Sequence, residues 1–137
     1  VTAARVSFAS VLAQDMERLS AFYGGLFDLP EVGSLRSELF RGLLAGSLIV
    51  GFSHPDAASL LELPDGRDRP GQQFLTFEAD SAEAVGELTG RAVAAGATLV
   101  QAPHTTYYGA TQSVLADPEG NPFRINHLVV AEVDAAP

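Results

Sequence analysis

The sequence has no cysteine, no lysine and no tryptophan, and only one methionine. Without cysteine there are no disulfides, no thiol catalysis and no thiolate metal sites, although this alone fixes no redox compartment. Without lysine, the eight basic residues are scattered arginines set against 17 acids, a net charge of −9. No basic stripe of the kind a phosphate backbone requires is present, so nucleic acid is excluded as a partner. Long apolar runs are missing too. Leu43 to Val50 is interrupted by Gly46 and Ser47, whereas a membrane span needs about 18 or more apolar residues. Val1 to Leu12 holds no uninterrupted apolar core of signal-peptide type. The expectation is therefore a cytoplasmic protein that does not engage a membrane. Charged residues make up 18% of the chain and apolar residues 47%, which leaves disorder only to the tail at Ala135, Ala136 and Pro137. A chain of 137 residues suits one domain. The arginine-only basic usage, with abundant alanine and glycine, points to a GC-rich bacterial genome.

What is present reads as one pattern written twice. Val6 to Leu12 is a short β-prone stretch, after which Asp15 opens a helix with Met16, Leu19, Tyr23 and Leu26 on one face and Phe22 and Phe27 beside them. Asp15 caps this helix, Glu17 suits the positive end of its dipole, Gly24 and Gly25 weaken its last turn, and Pro30 forbids continuation. Strands are predicted at 38–44 and 47–52, with a short edge piece near 31–34. The second copy begins with a strand at 74–78. Asp80 and Glu83 resemble a capping box, Val85, Leu88, Ala92 and Ala95 form the buried stripe, and Gly96 stops the helix. Strands are predicted at 98–101, 110–116 and 123–129. Residues 54–72, with Pro55, Pro64 and Pro70, read as a linker carrying one helical turn at 57–61. The chain is thus read as a first βαβββ module over 1–53, a linker over 54–72 and a second βαβββ module over 73–137. The predicted class is α+β, with mostly antiparallel sheets that pair and curve around a cleft.

Three stretches carry a family resemblance: the helix from Asp15 to Phe22-Tyr23, the strand Phe74-Leu-Thr-Phe-Glu-Ala-Asp80, and above all Tyr108-Gly109 followed by Asp117-Pro118-Glu119-Gly120-Asn121. Together they resemble the vicinal oxygen chelate superfamily, which includes glyoxalase I, extradiol dioxygenases, and the fosfomycin- and bleomycin-resistance proteins. Within the Asp117 segment, a side-chain acceptor, a fixed φ and a glycine suit a tight hairpin. The resemblance implies one divalent metal per cleft, held from four strand positions. Carried onto this chain, those positions are Phe8, a residue within one or two of Val50, Phe74 (or Gln73 with a slip of one) and Arg124. Phenylalanine and valine have no lone pair to give, and arginine repels a cation. The metal site of the family is therefore expected to be absent, with no cofactor in its place.

With Arg124 directed into the cleft, alternation brings Asn126 to the same face. The same argument joins Phe8 with Ser10, and Phe74 with Thr76 and Glu78. Arg124 reads as an ion pair with Glu78, because a charge facing an apolar cleft needs a partner, or as a fork gripping a carboxylate or carbonyl of a ligand, and the two are compatible. The predicted loop 101–109 adds His104, Tyr107 and Tyr108 as groups able to stack on a ligand or transfer protons. His127 faces away from Arg124, and His54 lies at the linker. Three functional readings follow. The first is a homodimeric, bleomycin-resistance-like protein that binds a small organic molecule in an aromatic cleft without a metal. The second is an enzyme of the lyase, isomerase or dioxygenase type. It would work either through Tyr107, Tyr108, His104 or Glu78, or through metal ligands that this register misplaces. The third is a structural module whose cleft is filled by its own side chains.

Overall fold

The computed structural model describes residues 8–57, 74–106 and 109–128. Two compact units divide the chain, Val1–Gln73 and Phe74–Pro137.

The first unit runs β1 (Phe8–Leu12), α1 (Met16–Phe27), a 3-10 turn (Gly33–Leu35), β2 (Phe40–Ala45) and β3 (Leu48–Ser53). Its sheet has the order β1-β3-β2, with β1 parallel and β2 antiparallel to β3. The edge strand expected near residues 31–34 is reduced to a single bridge, Glu31 to Leu43. Asp15 caps α1 as expected, its carboxylate accepting from the Arg18 N–H at 3.1 Å. The helix then passes straight through Gly24 and Gly25, contrary to the expected weakening, and ends at Asp28, which adopts a left-handed φ of 53°. Gly24 serves a close approach instead. A Cβ there would lie 3.3 Å from the Leu29 carbonyl oxygen and 3.5 Å from Leu43 Cδ2. Met16, Leu19, Phe22, Tyr23 and Leu26 are buried, as their spacing predicts, and Tyr23 stacks on Phe52 at 5.4 Å. Tyr23, Phe52 and Leu19 are almost wholly buried, and each such side chain contributes about 1.5–3 kcal/mol.

The second unit runs β4 (Leu75–Glu78), α2 (Ala82–Ala94), β5 (Thr98–Thr105), β6 (Thr111–Ala116) and β7 (Pro122–His127). Its sheet has the order β4-β7-β6-β5, with β4 parallel to β7 and the remaining pairs antiparallel. The cap of α2 is Ser81, whose hydroxyl accepts from the Ala84 N–H at 3.1 Å. The helix therefore starts one residue later than a box opened by Asp80 would place it. Beyond the helix, Gly96 at φ 111° lets the Ala97 N–H reach back to the Ala92 carbonyl. The helix lies against β5, β6 and β7. Within that layer Thr89 donates to the Val85 carbonyl and shares a 2.7 Å bond with the buried Ser113 hydroxyl. Strand β5 is longer than expected and continues through Pro103, with register shifts between Leu99 and Gln101 and between Gln101 and His104. An edge strand tolerates a proline because one side of it needs no N–H donor.

The hairpin from β6 to β7 forms as the motif predicts. Asp117 is buried, and its Oδ1 accepts from the N–H groups of Glu119 and Asn121 at 2.8 and 3.0 Å. Gly120 supplies a φ of 86°. Among the described residues no helix is long and apolar enough to cross a membrane. The helical turn expected at 57–61 and nearly all of the proposed linker lie outside the described residues.

Candidate functional site

In each unit the helix covers one face of the sheet, and strand alternation sends the candidate residues to the other. In the second unit the parallel register sets Thr76 beside Arg124 and Glu78 beside Asn126. The antiparallel pairs continue these rows, Asn126 beside Gln112 and Gln112 beside His104. Five predicted residues, Thr76, Glu78, His104, Arg124 and Asn126, thus share one face of one sheet. Ile125, Phe123 and Leu115 occupy the helix side and are fully buried.

The expected Arg124–Glu78 ion pair is not formed. Arg124 donates from Nε to the Thr76 hydroxyl at 2.9 Å, and its guanidinium carbon lies 4.9 Å from the centre of the Phe74 ring. Glu78 accepts from Asn126 Nδ2 at 2.9 Å and from the Leu128 N–H at 2.8 Å. The register explains the exchange, since each strand partner is nearer than the diagonal one. Asn126 in turn accepts from Gln112 Nε2 at 3.0 Å. Gln112 and Asn126 are buried, so Gln112, Asn126 and Glu78 form a relay running from β6 to β4. Gln112 was missed in the sequence; its strand reads Thr-Gln-Ser-Val-Leu-Ala, with no polar–apolar alternation to single it out.

His104 lies in β5 rather than in a loop, with Nδ1 2.9 Å from the Ala102 carbonyl oxygen. His127 faces away from Arg124 as expected, its Nδ1 2.9 Å from the Ala79 carbonyl. Tyr107 and Tyr108 lie outside the described residues. On either side of them, the Thr106 N–H donates to the Ala110 carbonyl and the Gly109 N–H to the Thr106 carbonyl.

In the first unit the register pairs Phe8 with Ile49 and Ser10 with Gly51. Val50 therefore points to the helix side, where it is 2% exposed, and does not share a face with Phe8. A register shift of one residue exchanges faces, which is why this position was misassigned. Phe40 was also missed. Its ring lies over Gly42 and Gly51, which are strand partners, and it meets Phe8 edge-on at 6.3 Å. Phe8 and Phe74 are 44% and 51% exposed.

The residue types at the metal positions of the family do not fit a divalent cation. Phe8, Ile49 or Gly51, and Phe74 offer no side-chain donor, and Arg124 offers only positive charge. Among the described residues no group of three or more His, Asp or Glu is arranged to hold a metal ion.

Comparison with known proteins agrees with this architecture. The Glyoxalase-like domain family matches residues 6–126. A glyoxalase/bleomycin resistance protein/dioxygenase family enzyme from Burkholderia phytofirmans PsJN is 42% identical. That similarity covers 92% of this chain and all of the other, with a TM-score of 0.85. A glyoxalase-related enzyme from Fulvimarina pelagi (22% identity, 90% and 88% of the two chains, TM-score 0.78) shares the fold. So does a lactoylglutathione lyase from Agrobacterium tumefaciens (21% identity, 91% and 94%, TM-score 0.70). No curated protein matches the sequence significantly. With two α+β units of mixed sheet, the Asp117 hairpin and a family match over most of its length, the chain belongs to the Glyoxalase-like domain family of the vicinal oxygen chelate superfamily.

Proposed function

We propose that the protein binds a small aromatic molecule bearing a carboxylate or carbonyl, without the divalent metal of its family. The observation that carries this reading is the setting of Arg124. It is held by a hydroxyl and an aromatic ring, and among the described residues no ion pair engages it. Guanidinium groups grip planar anionic groups through two parallel bonds, and the exposed Phe74 beside it offers a stacking surface. Phe8, Ser10 and Phe40 offer a second aromatic surface within the first unit. At long range the acidic chain repels an anion, so recognition of a carboxylate rests on the short-range contacts of Arg124. A homodimer belongs to the same reading, and light scattering after size exclusion reads it directly.

A second reading has its own support. The carboxylate of Glu78 is fixed by two donors, as a proton-transfer group must be, and the 42% identical Burkholderia protein is described as a family enzyme.

Thermal shift and calorimetry with a panel of aromatic carboxylates, aromatic cations and Ni, Co, Mn, Fe and Zn test both. The expected result is saturable binding of aromatic carboxylates that Arg124→Gln weakens about tenfold, the loss of one charge-assisted bond. Near-stoichiometric metal, or stabilisation by an added metal, overturns the metal-free reading. Absence of binding across the panel overturns ligand binding itself. Turnover of a bound compound that Glu78→Gln abolishes moves the protein to the enzyme reading.

A further inference from the structure

On the helix side of the first sheet, α1 and the segment 29–43 enclose a groove of about 360 Å³, a size typical of small-molecule sites. One wall is a single face of α1, with Glu17, Ser20 and Gly24 three and four residues apart. The other carries Glu31, Arg36 and Arg41. Arg41 and Leu43 leave β2 on the side opposite Phe40 and Gly42, so the groove is separate from the surfaces considered above.

Two charges of each sign line it, and they are held differently. Arg36 grips Glu31 through two parallel bonds, Nη2 to Oε1 at 2.6 Å and Nε to Oε2 at 2.8 Å. Arg41 is fixed mainly by the backbone, with Nη1 donating to the carbonyls of Ser37 and Phe40. Its side chain is only 10% exposed. Its Nη2 meets Glu17 Oε1 at 3.0 Å, and the Glu17 side chain is 73% exposed. The charges also act on one another across the groove. The Arg36 hydrogen bond and charge, with Arg41 adding to them, hold the Glu31 carboxyl below its ordinary value, and Glu17 contributes to raising Arg36.

Arg41 is thus a buried guanidinium in a fixed position, whereas Glu17 is a long side chain lying mostly in water. Such an exposed partner holds weakly and is displaced at little expense. A simple anion that displaced it would leave the Glu17 carboxylate beside a second negative charge. A molecule carrying both a carboxylate and an ammonium group would leave every charge paired, and the small residues Ala21 and Gly25, the latter with nothing within 4 Å of where a Cβ would stand, leave room for its body. We propose that this groove binds a small zwitterion of the amino-acid class, its carboxylate replacing Glu17 on Arg41 and its ammonium meeting the displaced Glu17.

The test is an NMR titration of the intact protein with glycine, 4-aminobutyrate, acetate and methylammonium, following the Arg41 Nε–H signal and the Glu17 and Ser20 amides. Saturable shifts are expected for the better of the two zwitterions, with affinity about fivefold above that of acetate, on the scale of one exposed ion pair. Glu17→Gln, an exposed substitution, removes both the internal competitor and the partner of the ammonium. In that variant acetate binds more tightly than in the wild type, and the advantage of the zwitterion falls below about twofold. A purely structural Arg41–Glu17 pair would produce neither change. Equal affinities for acetate and zwitterion in the wild type, an advantage that survives Glu17→Gln, or no saturable shift in either protein overturns the proposal. Because the groove shares no residue with the Arg124 face, the proposed function stands or falls separately.

Discussion

In the first unit, the face turned away from the helix carries the Phe40 ring laid over paired Gly42 and Gly51, with Phe8 edge-on beside it. In the second, the equivalent face carries Gln112, Asn126 and Glu78 joined by hydrogen bonds, with Arg124 braced on Thr76 and Phe74. The helix-covered faces do not diverge in this way. Apart from Arg41 on an edge strand of one and Ser113 in the other, both are apolar, through Leu43, Val50 and Phe52 in one unit and Leu115, Phe123 and Ile125 in the other, because each must bury a helix stripe. The faces turned away from the helices differ more. One unit supplies aromatic surface, which attracts without much direction, and the other supplies fixed donors and acceptors, which set orientation.

The comparison can be broken from either side. Asn126→Leu should do the most damage. It strips Glu78 of one donor and Gln112 of its acceptor in a buried setting, a loss of about 2–3 kcal/mol, read as a lowered urea midpoint. An unchanged midpoint would show that the relay is not holding the second sheet. Gly51→Ala should cost less, about 1–2 kcal/mol. The added Cβ would stand 2.5 Å from Phe40 Cε1 and 2.9 Å from Ser10 Oγ, so the ring must turn. Removing the ring should relieve the strain. Phe40→Ala and Gly51→Ala combined are expected to cost less than their separate losses added together, by about 0.5 kcal/mol or more. Strict additivity would mean that the ring does not rest on the glycine.

Legibility in the sequence followed the same divide. The first helix could be read from its spacing, the second in part, since Thr89 is buried and Ala95 exposed, and the Asp117 hairpin from residue types with few alternatives in a turn. These are local. What failed was register. The strand holding Val50 was found, but which of its residues share a face with Phe8 depended on Phe8 pairing with Ile49 across a parallel contact, which no local pattern encodes. The Glu78 assignment failed for the same reason, since parallel pairing gave that residue Asn126 and gave Arg124 to Thr76. The Phe40 shelf could have been found. Gly42 and Gly51 stand equally far from the Gly46–Ser47 turn, so a two-residue hairpin makes them partners and leaves a gap that a neighbouring ring can fill.

The smallest expected effect separates the arginines of the two units by acid. The Glu31 carboxyl is held below its ordinary 4.5 chiefly by the Arg36 hydrogen bond, which desolvation opposes and the charges of Arg36 and Arg41 reinforce. A carboxyl that is more acidic in the folded chain binds fewer protons there than in the unfolded one. Its stabilisation is therefore complete above the unfolded value and is lost as pH falls through the folded one. Arg36 is raised further by the same contact, stays fully protonated and contributes no change in this range. Arg36→Gln should thus lower the thermal midpoint slightly at neutral pH, and the gap should close in acid, once the Glu31 carboxyl is protonated in the folded chain. The effect is small because the pair is exposed. Arg124, braced by a hydroxyl and a ring, has no carboxylate to protonate in its own contacts. The gap produced by Arg124→Gln should be the same at neutral pH and in acid. An acid-sensitive gap at Arg124 would mean that a carboxylate reaches it after all, and the difference drawn here between the two faces would fail at its most informative residue.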